Sequence, residues 1–185
     1  MRRFTNDVMQ AVPKVTGRPV LDLGIGDIVV KAFVTAILIA ILLIFFVLIM
    51  ALRSTLDSLL VFIPLAMTAL LTLSVSVLID LPLNMANVVV IPLIFGLGVD
   101  NGIHMVKRFR QSGSIAHLLQ SSTPKAVFLS NLTTLGTFCA LSFSSHQGIF
   151  SIGILLTVAL TSLMLLTLIS LPALLATFST PNRSL

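Results

Sequence analysis

The sequence predicts an all-α fold, a polytopic bundle of about five membrane-spanning helices. Three observations carry that prediction. Hydrophobic residues make up 57% of the 185 and charged residues only 9%, where a soluble domain carries about 25% charged residues. The apolar residues fall in long runs, and about 20 such residues are needed to cross a bilayer as a helix. Between the runs stand short polar links with Ser, Asp, Gly and Pro, the residues that end one helix and start the next.

The formal net charge is +5 and the sequence pI is about 10.4. In a soluble chain that balance would suggest nucleic acid. Here the Lys and Arg residues flank apolar runs, so membrane surface and topology account for them and nucleic acid is not a partner. The single cysteine, Cys139, lies inside an apolar run and has no intrachain partner for a disulfide; it reads as a small buried hydrophobe. Trp and Tyr are absent, so the usual interfacial aromatic belt is missing.

Residues 1–31 form the long stretch suited to water, with Arg2, Arg3, Asp7, Lys14, Arg18, Asp22 and Asp27. The pattern gives a short helix over Phe4–Val12, breaks at Pro13, Gly17 and Pro19, and a strand over Val20–Leu23. So few residues cannot build a core of their own, and the segment is expected to be the tail of a larger domain leading into the membrane. Arg2 and Arg3 are followed by polar residues, so the pattern is not that of a signal peptide.

The first span is expected over 32–52, uncharged and rich in Ile, Leu and Val. Arg53–Asp57 forms a tight polar link. The second span, 58–79, is started or kinked by Pro64 and carries Thr68, Thr72, Ser74 and Ser76, whose hydroxyls are expected to bond the helix backbone. Asp80–Pro82 turns the chain. The third span, 83–106, contains Pro92, expected to bend it, and ends in Lys107, Arg108 and Arg110. In the polar connection 111–123, Ile115, Leu118 and Leu119 are spaced for one apolar face of a short surface helix. Pro124 opens the fourth span, 124–143, dense in Ser130, Asn131, Thr133, Thr134 and Thr137. After a turn at Ser144–Gly148 comes the fifth span, 149–178, with Pro172 near its end, then a polar tail, 179–185.

Within the third span sits the carboxylate Asp100, at a cost of roughly 3 kcal/mol or more for a bare charge at the centre of an inserted helix. Gly96, Gly98 and Gly102 surround it, and small residues let a second helix approach closely. Asp100 has two readings: a proton- or ion-coupling group, or a protonated carboxyl bonded to a neighbouring helix. His104, one turn further on the same face, either extends a proton path or sits near the head groups, and Lys107 continues that face as a topology anchor. Ser130, Thr133, Thr134 and Thr137 form a stripe that either receives Asp100 or bonds its own backbone.

Other chemistry is excluded. Gly96-Leu-Gly98 lacks the strand–turn–helix setting of a nucleotide fingerprint. The string GLGVD suggests an intramembrane aspartyl protease, but that reaction needs two acids sharing a site, and no other span holds one. His104, His117 and His146 have no metal-ligand spacing. No enzyme, metal or cofactor is expected.

The stretch PLNMANVVVIPLIFGLGVDNGIHMVKRFR resembles the tenth span of resistance-nodulation-division (RND) transporters, in the branch of the MMPL-type lipid exporters. STPKAVFLSNLTTLGTFCALSFSSHQGIFSIGILLTVALTSLMLLTLISLPALL is similar to the eleventh and twelfth spans, and VTGRPVLDLGIGDIVVKAF to the exit from the second periplasmic domain. LNMANVVVIPL and SSHQGIFSIGILL are most similar to the hopanoid-transporter-like group. The resemblance implies two halves of six spans, each with a periplasmic domain, of which this chain would be the last five spans, a fragment or split product without its N-terminal half. It implies a hydrophobic lipid cargo, hopanoid-like, and proton coupling at Asp100, with Thr133 or Thr134 matching an eleventh-span hydroxyl. Asn101 departs from the pattern, standing where relatives often have Tyr or an acid. A homo-oligomer stays open as a further partnership. Rival readings are a protein-secretion accessory subunit of the same fold, which should carry an acid before the arginines that MVKRFR lacks, and a non-transporting sterol- or lipid-sensing domain.

The location implied is the bacterial inner membrane. Short loops set orientation: Arg53, the Lys107–Arg110 cluster, Lys125 and Arg183 are expected on the cytoplasmic side, with the C-terminus. The turns near Asp80 and Ser144–Gly148, and the N-terminal segment, are expected in the periplasm. The bases of residues 1–31 argue the other way, but translocated domains escape the charge rule.

Overall fold

A computed structural model describes residues 18–81, 84 and 86–179, with side chains from residue 31 onward. The expected helix Phe4–Val12, the breaks at Pro13 and Gly17, Pro82, the start of the third span at Leu83 and the tail 180–185 lie outside the described residues. Among those described, every regular element is helical. Four helices are long and apolar enough to cross a membrane: Lys31–Leu52, Thr55–Leu78, Asn87–Ser112 and Gln147–Phe178. The expected fourth span is a helix too, Ser122–Leu141, but it is not among these four; Lys125 and its run of Ser, Asn and Thr dilute its apolar character.

Helix α1 is Arg18–Leu52. The strand expected over Val20–Leu23 is therefore helix: the apolar run downstream carries the helical state back through the polar end, and Pro19 stands in the first turn, where its missing N–H costs nothing. Two compact units divide at Ile39 and Ala40. The first holds the N-terminal part of α1; the second, from Ala40, holds the bundle.

Arg53 ends α1 in the left-handed region, at φ 49°. Ser54 caps α2, Thr55–Leu78, its Oγ accepting from Asp57 N–H at 3.3 Å. Asp57 is thus in the first turn of the helix rather than in a link, where a carboxylate complements the helix dipole. Pro64 lies inside α2. Thr68 Oγ1 donates to the Pro64 carbonyl at 2.9 Å, and Thr72 to that of Thr68 at 2.8 Å. Asn84 Oδ1 accepts from the N–H groups of Ala86 and Asn87 at 2.8 and 3.0 Å, starting a 3₁₀ turn, Asn87–Val89, that feeds α3, Val90–Ser112. Pro92 consequently falls in the first α-helical turn, where its missing N–H costs little.

Gly113, at φ 68°, closes α3 in the left-handed conformation that glycine adopts freely. The short α4, Ile115–Gln120, buries Leu118 and leaves Leu119 outside. Helix α5 is Ser122–Leu141, with Pro124 in its first turn. Helix α6, Gln147–Leu165, passes through a π-helical turn, Leu166–Ser170, into α7, Leu171–Phe178. The wide turn is bonded by Leu171 N–H to Leu166 O, and it precedes Pro172, which has no N–H to donate.

Helix α3 contributes one face to both hydrophobic clusters. Phe95, Val99, Met105, Val106 and Phe109 enter one cluster with residues of α1, α2, α6 and α7; Val90 and Ile94 enter a second with Leu155, Leu156 and Ala159 of α6. Large apolar side chains such as Leu42, Phe46, Met50, Leu70 and Val77 stay exposed on the outside, the arrangement of a bundle whose solvent is lipid.

Candidate functional site

The two faces of α3 follow from helical spacing. Ile94, Gly98, Asn101, Gly102, Met105 and Phe109 recur at three and four residues and are buried. Gly96, Asp100, His104 and Lys107 recur with the same period on the opposite face and are exposed. The backbone thereby sends Asp100 and Asn101, neighbours in sequence, to different sides.

On the inward face, glycine is required for contact. A Cβ on Gly98 would meet Leu65 Cδ2 at 2.1 Å, and one on Gly102 would meet Val61 Cγ1 at 2.3 Å. Between these glycines Asn101 reaches α5: its Nδ2 donates to Asn131 Oδ1 at 3.0 Å, and both side chains are buried. Asn131 Nδ2 donates in turn to the Val127 carbonyl at 2.8 Å, which fixes the amide's orientation. A neutral amide pair thus ties α3 to α5, without a charge to desolvate.

On the outward face, Asp100 Oδ1 and His104 Nε2 are 3.3 Å apart, with side chains 75% and 63% exposed. Among the described residues no helix of this chain packs against Asp100. Its helix is packed, but on the other side. Gly96 likewise meets none of the described residues: nothing lies within 4 Å of the position its Cβ would take.

Of the two readings of the α5 stripe, the structure shows the one in which it bonds its own backbone. Thr133 Oγ1 donates to Leu129 O at 2.9 Å, Thr134 to Ser130 O at 3.0 Å and Thr137 to Thr133 O at 3.2 Å. These hydroxyls are spent on their own backbone, as Thr in a low-dielectric helix commonly does. The structure therefore brings together Asp100 with His104, and Asn101 with Asn131, but neither pair with Thr133 or Thr134. Asn131 is the residue that sequence reasoning missed as a partner. Its position in a polar helix was the available signal, but nothing local distinguishes it from Ser130 or Thr133. Among the described residues no group of three His, Cys, Asp or Glu side chains gathers for a metal.

A second polar cluster closes the basic end of α3. Asp57, 3% exposed, accepts from Arg110 Nε at 2.9 Å and also from Arg110 Nη2. Arg110 Nη1 donates to the Leu52 carbonyl at 2.5 Å, and Ser179 Oγ donates to the other carboxylate oxygen at 2.9 Å.

Comparison with known proteins adds the context that geometry lacks. Residues 10–184 match the MMPL family. Over 174 residues the chain is 42% identical to the hopanoid transporter HpnN of Rhodopseudomonas palustris, covering 94% of the chain and 20% of that protein. It is 36% identical over 163 residues to HpnN of Burkholderia multivorans, covering 87% of the chain and 18% of that relative. A membrane protein of Methanocaldococcus jannaschii, MJ1562, is 30% identical over 135 residues, 69% of the chain and 35% of that protein. The chain thus spans about a fifth of the length of the two hopanoid transporters it matches.

Proposed function

The chain belongs to the MMPL family, and from that membership we propose that it is the C-terminal membrane part of an RND-type exporter of hydrophobic lipids, with hopanoid-like cargo, driven by proton motive force. The named relatives matched over most of the chain are transporters, not enzymes. The bundle sits in the bacterial inner membrane, with its N-terminal segment in the periplasm and its basic end in the cytoplasm.

One observation supports this reading above the others: Asp100 and His104, 3.3 Å apart, on an uncovered face of an otherwise packed apolar helix. A carboxylate facing lipid is costly. A helix from the remainder of the transporter covers this face and sets Asp100 in a narrow polar seam, and Gly96 lets that helix come close. Proton arrival at Asp100 removes its charge, and with it the charge's attraction to whatever cation or hydroxyl the covering helix presents. The seam then repacks, and α3 transmits the shift along its length. Asn101 takes no part as an acid; its amide holds α3 to α5 while the other face changes state. Thr133 and Thr134 are available on α5 only after leaving their backbone carbonyls.

The test is export of hopanoid from the inner to the outer membrane by the full-length transporter carrying Asp100→Asn, normalised to folded protein. Export is expected to be lost. Undiminished export ends the coupling assignment.

A further inference from the structure

The Asp57 cluster joins four stretches of chain that are distant in sequence. Leu52 is the last residue of α1, Asp57 lies in the first turn of α2, Arg110 in the last turn of α3, and Ser179 directly after α7. Both carboxylate oxygens of Asp57 are occupied, Oδ2 by Arg110 and Oδ1 by Ser179. The guanidinium is divided between Asp57 and the Leu52 carbonyl, one of the acceptors that a helix end leaves open. Each charge also suits its helix terminus, the acid at the start of α2 and the base at the end of α3. A buried carboxylate bound on both oxygens holds its partners in one geometry, because losing either bond leaves a desolvated charge. The Arg110 side chain is 36% exposed, so the constraint comes from the buried carboxylate and not from the guanidinium.

We propose that Asp57, Arg110 and Ser179 are positioning residues: they fix the basic end of α3 to the ends of α1, α2 and α7, so that α3 moves as a lever about that joint. The inference takes from the proposed function only that α3 carries the coupling group. Movement at the level of Asp100 is then confined to the part of the helix away from the joint. The other anchor of α3, the Asn101–Asn131 pair, is a neutral bond and the weaker of the two.

The joint is tested by a distance, which does not depend on export. Spin labels are placed at Gln111→Cys on α3 and Ala176→Cys on α7, both exposed positions, in the full chain with Cys139→Ala, reconstituted in lipid nanodiscs. The expected result is one narrow distance in the parent, its loss to a broad distribution in Arg110→Gln at full helical content, and an intermediate width in Arg110→Lys, which keeps the charge but not the fork. If Arg110→Gln lowers the unfolding midpoint while the folded fraction keeps the narrow distance, the cluster is merely stabilising and the proposal fails. A broad distribution in the parent also overturns it. Where Arg110→Gln does not fold, Arg110→Lys decides: a widened distance supports the joint, an unchanged one refutes it. An export defect in Asp100→Asn is measured separately, so either result can fail without the other.

Discussion

The inward and outward faces of α3 are built from the same few residue types and have opposite fates. Inward, Gly98 and Gly102 are filled by Leu65, Leu163 and Val61, and Asn101 is bonded to Asn131. Outward, Gly96 faces open space, and Asp100 and His104 touch each other while remaining mostly exposed. Between Gly98 and Gly102 the buried polar group, Asn101, is neutral; at the same level the titratable pair, Asp100 and His104, stands on the open face. The difference teaches where each job is done. Permanent helix packing uses small residues and amides, which cost little to bury. Asp100 and His104, the groups proposed to change charge, are met by no other helix among the described residues.

The sharpest way to break this contrast is to add one methyl group to the closed face. Gly102→Ala places Cβ against Val61 Cγ1, and a β-branched side chain has few rotamers to yield with. Overpacking of this kind costs about 1–3 kcal/mol, only partly offset by the better helix propensity of Ala. Unfolding in detergent should show that loss. Gly98→Ala should cost less, because its nearest neighbours are the flexible ends of Leu65 and Leu163. Equal tolerance at both sites would mean that α2 does not approach α3 as closely as described.

The closed face also marks the limit of what could be read in advance. The long apolar runs, the polar links between them and Pro124 at the start of a helix are local signals, and α1, α2, α3, α5 and the α6–α7 helix follow them. The three glycines around Asp100 were recognisable as packing residues, but their spacing did not say which face was closed. Two fell inward and one outward. Asn101–Asn131 and Asp57–Arg110 join residues 30 and 53 positions apart. Such partners are selected by how helices are laid against one another, and no periodicity within one helix encodes that. Asp57 looks like a link residue because it closes the polar stretch Arg53–Asp57 between two apolar runs, whereas the Ser54 cap draws it into α2. The proposed covering of Asp100 is illegible for a different reason: its partner would belong to another part of a longer protein, so this sequence would hold only the near half.

A smaller effect is expected from the amide pair. Asn131→Ala removes the acceptor of Asn101 and leaves its amide buried without that bond. Interhelical hydrogen bonds in membrane bundles average about 0.6 kcal/mol and reach about 1.7 kcal/mol, so a loss near 1 kcal/mol is expected. The decisive measurement is the cycle with Asn101→Ala. The two losses should fall short of additivity, because each substitution already removes the same bond. Simple addition would show that the pair contributes no coupling, and the contrast between a bonded face and an open one would shrink to the glycines alone.

The smallest change in stability, and of the opposite sign, belongs to the open face. Gly96→Ala meets no atom of this chain, and Ala is favoured over Gly within a helix by roughly 0.5–1 kcal/mol. The chain by itself should therefore unfold slightly later. In the proposed full-length exporter the same position should behave as a closed one. A helix laid over Asp100 needs Gly96 small, so Gly96→Leu should reduce export while leaving the isolated chain as stable as before. Stability measured on the chain and export measured on the whole transporter thus separate the two meanings of an empty neighbourhood. Lipid at Gly96 would accept the leucine without loss, whereas a docked helix would not. If export by Gly96→Leu equals that of the parent, Asp100 lies against lipid or water, and the open face carries no seam.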